Sequence, residues 1–334
     1  MYIAVASVVI ATGAYFLQQH LEYVKMHTIP AGLQAFDVSG PIPTCGRWKD
    51  TMPKTRDPAA YRLYSNARKQ WRTKIAWQLT RQEFISILHD VQSAANQGDW
   101  GARALMAHFY RSGLGPLDTN HVLDIDLDKS VEIMRMAVSA GQAWGYYDLG
   151  VAHEHGYGGA VQDEQIAWAY YLKAAALGSP EAQMVLASAY LKAERDDAEE
   201  AMVMCAYKQG HGPAAYKLGS YAKLRKNFAA ALEYYQAGTR FGSKRAAVAL
   251  RLMFDTNEWS LRDKQEQAAL KAIEILPDRE RERRYEQISD ALDLNPDLKL
   301  TRLDQVLPLP PAELPEWKGI QDAIEPKPDG PPSY

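Results

Sequence analysis

Leu149-Gly150-Val151-Ala152-His153-Glu154-His155-Gly156-Tyr157-Gly158, running on through Val161 and Asp163 into Ala167-Trp168-Ala169-Tyr170-Tyr171-Leu172-Lys173-Ala174-Ala175-Ala176-Leu177-Gly178, is the stretch whose reading decides the fold. It reads as the end of one helix, a glycine turn, and a second helix stopped by glycine. The closing glycine recurs at Gly98, Gly141, Gly178, Gly210 and Gly242, with spacings of 43, 37, 32 and 32 residues. Four positions after each lies a small residue: Ala102, Gly145, Ala182, Ala214 and Ala246. Eight positions after each lies a large apolar one: Met106, Leu149, Leu186, Leu218 and Leu250. Such spacings share one helix face. A second face precedes the last four glycines, with Met134, Tyr171, Val203 and Tyr235 seven residues ahead. Each unit is therefore a pair of amphipathic helices that cannot bury its apolar face alone and must stack on its neighbours. The expected fold class is all-α: an α-solenoid of helix-turn-helix repeats with an N-terminal hydrophobic anchor and a proline-rich C-terminal cap.

The unit from Leu149 to Gly178 resembles the Sel-one-like repeat, a relative of the tetratricopeptide repeat. It departs from that pattern at His153 in place of tyrosine, at Gly159 and Ala160 as two extra turn residues, and at Tyr170 in place of tryptophan. The resemblance covers about 160 residues, Gly98 to Phe254. Beyond it, Ser260–Leu276 and Asp278–Leu294 read as helices ended by Pro277 and Pro296. Nine of the 18 prolines fall from Pro296 onward, interleaved with Leu307, Leu309, Leu314 and Trp317. That mixture is too apolar for a linker and reads as a strap over the last helices. The stretch from Arg284-Tyr285 through Asn295-Pro296 to Trp317 also resembles a domain family of unknown function that often follows these repeats in proteobacterial envelope proteins. The expected division is an anchor over 1–18, a basic and aromatic region over 19–80, repeats over 81–258, and helices with the capping strap over 259–334.

Tyr2–Leu17 carries no charge and falls a little short of a comfortable membrane span. An uncleaved signal anchor is the reading taken, ahead of a cleaved signal and a buried helix. It places the chain in the inner membrane with its body in the periplasm. Between Arg47 and Arg81, ten Lys and Arg stand against Asp50 and Asp57, with Trp48, Tyr61, Tyr64, Trp71 and Trp77 among them. An amphipathic helix with its aromatics in the core is favoured over a lipid-facing stretch or a single-strand nucleic-acid site. A balance of 38 Lys+Arg to 41 Asp+Glu also speaks against general nucleic-acid binding. Cys45 and Cys205 permit one bridge at most, and two buried free thiols are the expectation.

No motif carries chemistry. His153 and His155 point to different sides of a helix, and His153 occupies an aromatic packing slot. Asp124-Ile125-Asp126-Leu127-Asp128 fails calcium-loop spacing because Lys129 and Arg135 stand where glycine and glutamate are needed. Asp128 is read instead as the N-cap of a helix over Lys129–Ala140. Gly156-x-Gly158 follows no strand, so it is no phosphate loop. An enzyme, a cofactor and a metal are all outside expectation.

What remains is surface. In tetratricopeptide-like solenoids the first helix of each pair lines the concave side, here at positions 3, 6, 10 and 13 after each glycine. The candidate partner-binding residues are Trp144, Tyr147, Val151, Glu154, Glu181, Met184, Tyr216, Lys223 and Arg245. Aromatics beside charge are the composition of binding hot spots. The combination of anchor, repeats and cap resembles immunity proteins paired with type VI secretion phospholipase effectors. That resemblance implies a toxin as the bound protein, and the competing reading is an envelope adaptor for a cell-wall or secretion complex.

Overall fold

A computed structural model describes Tyr15 and residues 17–325, and the architecture is helical throughout. Helix α1 (17–26) is followed by an irregular segment. The paired helices are then α2 (Pro58–Trp71) with α3 (Arg81–Asn96), α4 (Trp100–Ser112) with α5 (Leu127–Ser139), α6 (Ala143–His155) with α7 (Glu164–Ala176), α8 (Pro180–Lys192) with α9 (Asp196–Lys208), and α10 (Gly212–Leu224) with α11 (Phe228–Arg240). Helix α12 (Lys244–Phe254) pairs with α15 (Arg279–Leu294), across the short α13 (Thr256–Leu261) and α14 (Lys264–Ala272). One turn, α16 (Leu303–Val306), completes the set. Among the described residues the only β feature is a bridge between Leu114 and Leu123, which closes the α4–α5 loop.

The α-solenoid follows from punctuation and small residues. Gly98, Gly141, Gly178, Gly210 and Gly242 all take positive φ, between 71° and 98°, each two residues past the last residue of a helix. After three of them the next residue, Asp99, Ser179 or Ser243, accepts a backbone N–H from the third residue of the following helix. One dipeptide therefore ends one helix and starts the next. Where helices cross, bulk is excluded: a Cβ at Gly145 would lie 2.5 Å from that of Ala137, and one at Gly219 would lie 2.5 Å from the Tyr235 ring. The first helices α10 and α12 touch, while the second helices α9 and α11 are held farther apart. At this end the first-helix side is thus the inside of the curve.

Several expectations are corrected. The N-cap of α5 is Asp126, not Asp128, so the helix starts two residues earlier and Asp128 sits in its first turn. The helix expected over Ser260–Leu276 is two, because Arg262 takes an extended conformation and Asp263 caps a new start. Cys45 and Cys205 are not free thiols: they are bonded to each other across 160 residues. The expected anchor, Tyr2–Leu17, lies outside the described residues except for Tyr15 and Leu17; among the described residues no helix is long and apolar enough to cross a membrane.

The bridge ends a segment that sequence periodicity does not reveal. Residues 28–47 form a strap over α7 and α9, on the outside of the curve. Phe36 stacks on Trp168 at 5.1 Å and meets Tyr190 edge-on at 5.7 Å. Arg195 donates to the Val38 and Gly40 carbonyls at 3.0 and 3.1 Å. Of the ten cations in the basic stretch that follows, Arg56, Arg68 and Arg72 turn inward and the other seven stay exposed. Arg56 pairs with Asp99 at 2.7 Å with both side chains nearly buried, and Trp71 packs edge-on against Phe109.

The C-terminal strap lies on α12 and α15, with Leu307 fully buried and Leu309, Leu314 and Trp317 packed around it. Two buried arginines of α15 hold its backbone. Arg284 donates to the Val306 and Pro315 carbonyls at 2.9 and 2.8 Å, and Arg281 to those of Pro308 and Ala312 at 3.3 and 2.5 Å. Tyr285 donates to Gln236 at 2.7 Å, and Gln236 donates to the Leu307 carbonyl at 2.8 Å.

Candidate partner-binding face

All nine candidate residues lie on first helices, and none of them is buried. They fall into two groups with different surroundings. Trp144 is half-buried at the start of α6, edge-on to Trp100 at 6.4 Å, with its indole N–H donated to Gln142 at 2.6 Å. Tyr147, Val151 and Met184 rest their inner sides on the α7–α9 core. Tyr147 lies 5.7 Å from the Tyr171 ring, and Tyr171 donates its hydroxyl to Glu154, which fixes that exposed carboxylate. Glu181 is exposed at the start of α8 and accepts from the Ser179 hydroxyl at 3.2 Å.

The second group converges. Tyr216, Lys223 and Arg245 line one cavity of about 520 Å³ between α10 and α12. Tyr235, Lys244, Val248, Ala249, Leu252, Met253 and Arg262 complete its wall. Lys244 and Arg262 escaped the sequence reading: Arg262 lies past the periodic region, in the break between α13 and α14, and Lys244 occupies position 2 after Gly242, outside the expected register.

Deeper along the same face sits a charged floor. Asp148 on α6 lies 3.9 Å from Arg111 on α4 and retains 23% of its side-chain surface. Crowding by the surrounding protein raises its pKa to about 6; Arg111 opposes that rise and the nearby Glu181 adds to it. Burial raises the Tyr147 phenol as well, with Glu181 and Asp148 contributing. The first and last helical pairs are tied together by Arg68 of α2, which holds Asp297, just past α15, through two hydrogen bonds of 2.6 and 2.7 Å, with Arg72 at 3.6 Å. That pairing spans 229 residues of sequence, and nothing in either segment announces it.

A raised carboxylate pKa has a definite sign. The folded protein binds the Asp148 proton more tightly than the unfolded chain, so this group favours folding at low pH and opposes it once pH passes about 6. Asp148→Asn should therefore stabilise the protein at pH 8 by about 1–2 kcal/mol, a figure reduced for the carboxylate's residual solvent contact. The gain should shrink steadily as pH falls from 6 towards 4. Thermal melts of both proteins across that range check it, and a pH-independent difference would count against the assignment.

His153 sits in its packing slot: its ring meets the Val161 carbonyl at 2.9 Å and stacks on Tyr170 at 5.3 Å. Among the described residues, no group of three or more His, Cys, Asp and Glu is placed to hold a metal ion.

A family profile described as "Domain of unknown function (DUF6396)" matches residues 246–328, the region of α12, α15 and the C-terminal strap. No curated protein matches the sequence. Three solved structures from Pseudomonas aeruginosa share the fold. The protein PA5086 is 28% identical, with a TM-score of 0.64, over 81% of this chain and 96% of its own. The immunity protein Pa5087 is 28% identical, with a TM-score of 0.62, over 80% of this chain and 94% of its own. The immunity protein PA5088 is 25% identical, with a TM-score of 0.61, over the same shares. The chain is thus a helical repeat protein similar, over most of its length, to immunity proteins.

Proposed function

We propose that this chain is an immunity protein that neutralises a toxin by binding it on the first-helix face, with its body held in the periplasm by the N-terminal apolar run. The observation that carries this reading is the likeness to two immunity proteins over 94% of their own chains. The face supports it physically. Half-exposed Trp144, Tyr147 and Tyr216 sit on rigid helices, so a partner can cover their apolar area at little entropic cost. The Cys45–Cys205 bridge supports the periplasmic placement, because such bonds persist in oxidising compartments. The sequence resemblance supports a phospholipase delivered by type VI secretion as that toxin. Co-expression with a phospholipase toxin encoded beside the gene, directed to the periplasm, tests this. Protection by the full chain is expected, and killing undiminished by its presence would refute the reading.

A further inference from the structure

The cavity between α10 and α12 differs from the rest of the face in its charge. Its polar wall is cationic, with Lys223, Lys244, Arg245 and Arg262, and no carboxylate lines it. Two of these cations are already engaged. Lys244 reaches Asp293 at 2.8 Å, and Arg262 donates to the Leu252 carbonyl at 2.6 Å and pairs with Glu266 at 3.3 Å. Lys223 and Arg245 are exposed and have no ion pair among the described residues. Between them lie the side chains of Tyr216, Val248, Ala249 and Leu252, all partly exposed. Away from this end, the face carries Glu154, Asp148 and Glu181 instead.

We propose that this cavity receives an acidic segment of the partner protein, in which an apolar or aromatic side chain enters the Tyr216–Leu252 floor and flanking carboxylates pair with Lys223 and Arg245. Charge complementarity picks the occupant. Two free cations over an apolar floor favour a carboxylate beside an apolar residue, and the acidic stretch of the same face would repel that segment from any other register. A volume of about 520 Å³ suits one or two large side chains. The proposal rests on the protein-binding reading above and adds the chemistry of the contact.

The test uses a probe that does not depend on the toxin. A fluorescent twelve-residue peptide alternating Glu with Leu and Tyr is titrated onto the full chain in detergent, beside the same peptide with Lys for Glu. The acidic peptide should bind at least tenfold more tightly, and more weakly as salt rises. Lys223→Glu/Arg245→Glu should erase that preference with an unchanged melting temperature, since both side chains are exposed. Equal binding of the two peptides, or acidic-peptide binding indifferent to the double substitution, overturns the proposal. So does competition by phosphatidylglycerol vesicles but not by acidic peptide, which would mark a lipid-phosphate site. The toxin then separates the two readings. If it binds the double variant as well as wild type, the cavity is not its contact and the proposal falls while immunity stands. If it fails to bind wild type although the peptide behaves as described, immunity falls and the cavity's preference stands.

Discussion

A chain ended after Asp304 is expected to lose about 6 kcal/mol or more of folding stability, enough to unfold its last repeat. Leu307 is fully buried, and its removal alone uncovers about 1.5–3 kcal/mol of apolar contact. Val306, Leu309, Leu314, Trp317 and Ile320 pack on the same core and add smaller amounts. The polar consequences are as large. Arg281 and Arg284 are 7% and 4% exposed, and the deletion strips the four strap carbonyls that accept from them. Each arginine keeps one carboxylate partner, Asp278 or Glu280, but loses its two strap carbonyls, a cost of about 1–3 kcal/mol apiece. Gln236 loses the Leu307 carbonyl and leaves the Tyr285 hydroxyl on a weakened partner. Urea denaturation with hydrogen exchange should show α12 and α15 opening first. The milder Leu307→Ala should cost about 2–5 kcal/mol with the strap still in place. An unchanged melting temperature in the truncated chain would mean that the C-terminal segment is a linker after all.

Removing the bridge should have the next largest effect. Cys45→Ser is expected to lower stability by about 2–5 kcal/mol, because closing a loop of this length restricts the unfolded chain strongly. The loop holds 160 residues of sequence separation and encloses all of α2 to α8. Cys45 is exposed and Cys205 buried, so replacing Cys45 leaves a small apolar thiol in the core and adds no buried polar group. Loss should be local as well as global: residues 28–47 should exchange amide hydrogens faster, since the packing of Phe36, Val38 and Ile42 and the Arg195 hydrogen bonds are left to hold the strap once the bond is gone. Reductant should reproduce the effect in wild type and do nothing to the variant. Equal melting temperatures with and without reductant would contradict it.

The repeats could be read from sequence because their physics is periodic. Each of the five repeat-closing glycines stands four positions before a small residue, and three of them stand beside a capping residue, so one register predicts turn, contact and often cap together. The outer strap could not be read, because residues 28–47 are irregular and what holds them to the repeats lies far away in sequence, as with Phe36 on Trp168. That also hid the partner of Cys45. The run Arg279–Arg284 looks like a solvated charged face, yet Arg281 and Arg284 lie under the strap, where carbonyls rather than water satisfy them. For the face itself, sequence placed Tyr216, Lys223 and Arg245 on two different helices; only packing of α10 on α12 makes them one cavity and adds Lys244 and Arg262.

The dissociation constant of the toxin for Tyr147→Ala/Tyr216→Ala tests the central claim most directly. These tyrosines lie on α6 and α10 and keep part of their rings exposed, so their loss should remove binding area without unfolding the repeats. Each is expected to weaken binding by about 1–3 kcal/mol, so the pair should raise the dissociation constant at least thirtyfold. Glu200→Ala, an exposed change on the second helix α9, should leave it unaltered. An unaltered constant in the double variant, with its helicity intact, would show that the inside of the solenoid is not where the partner binds.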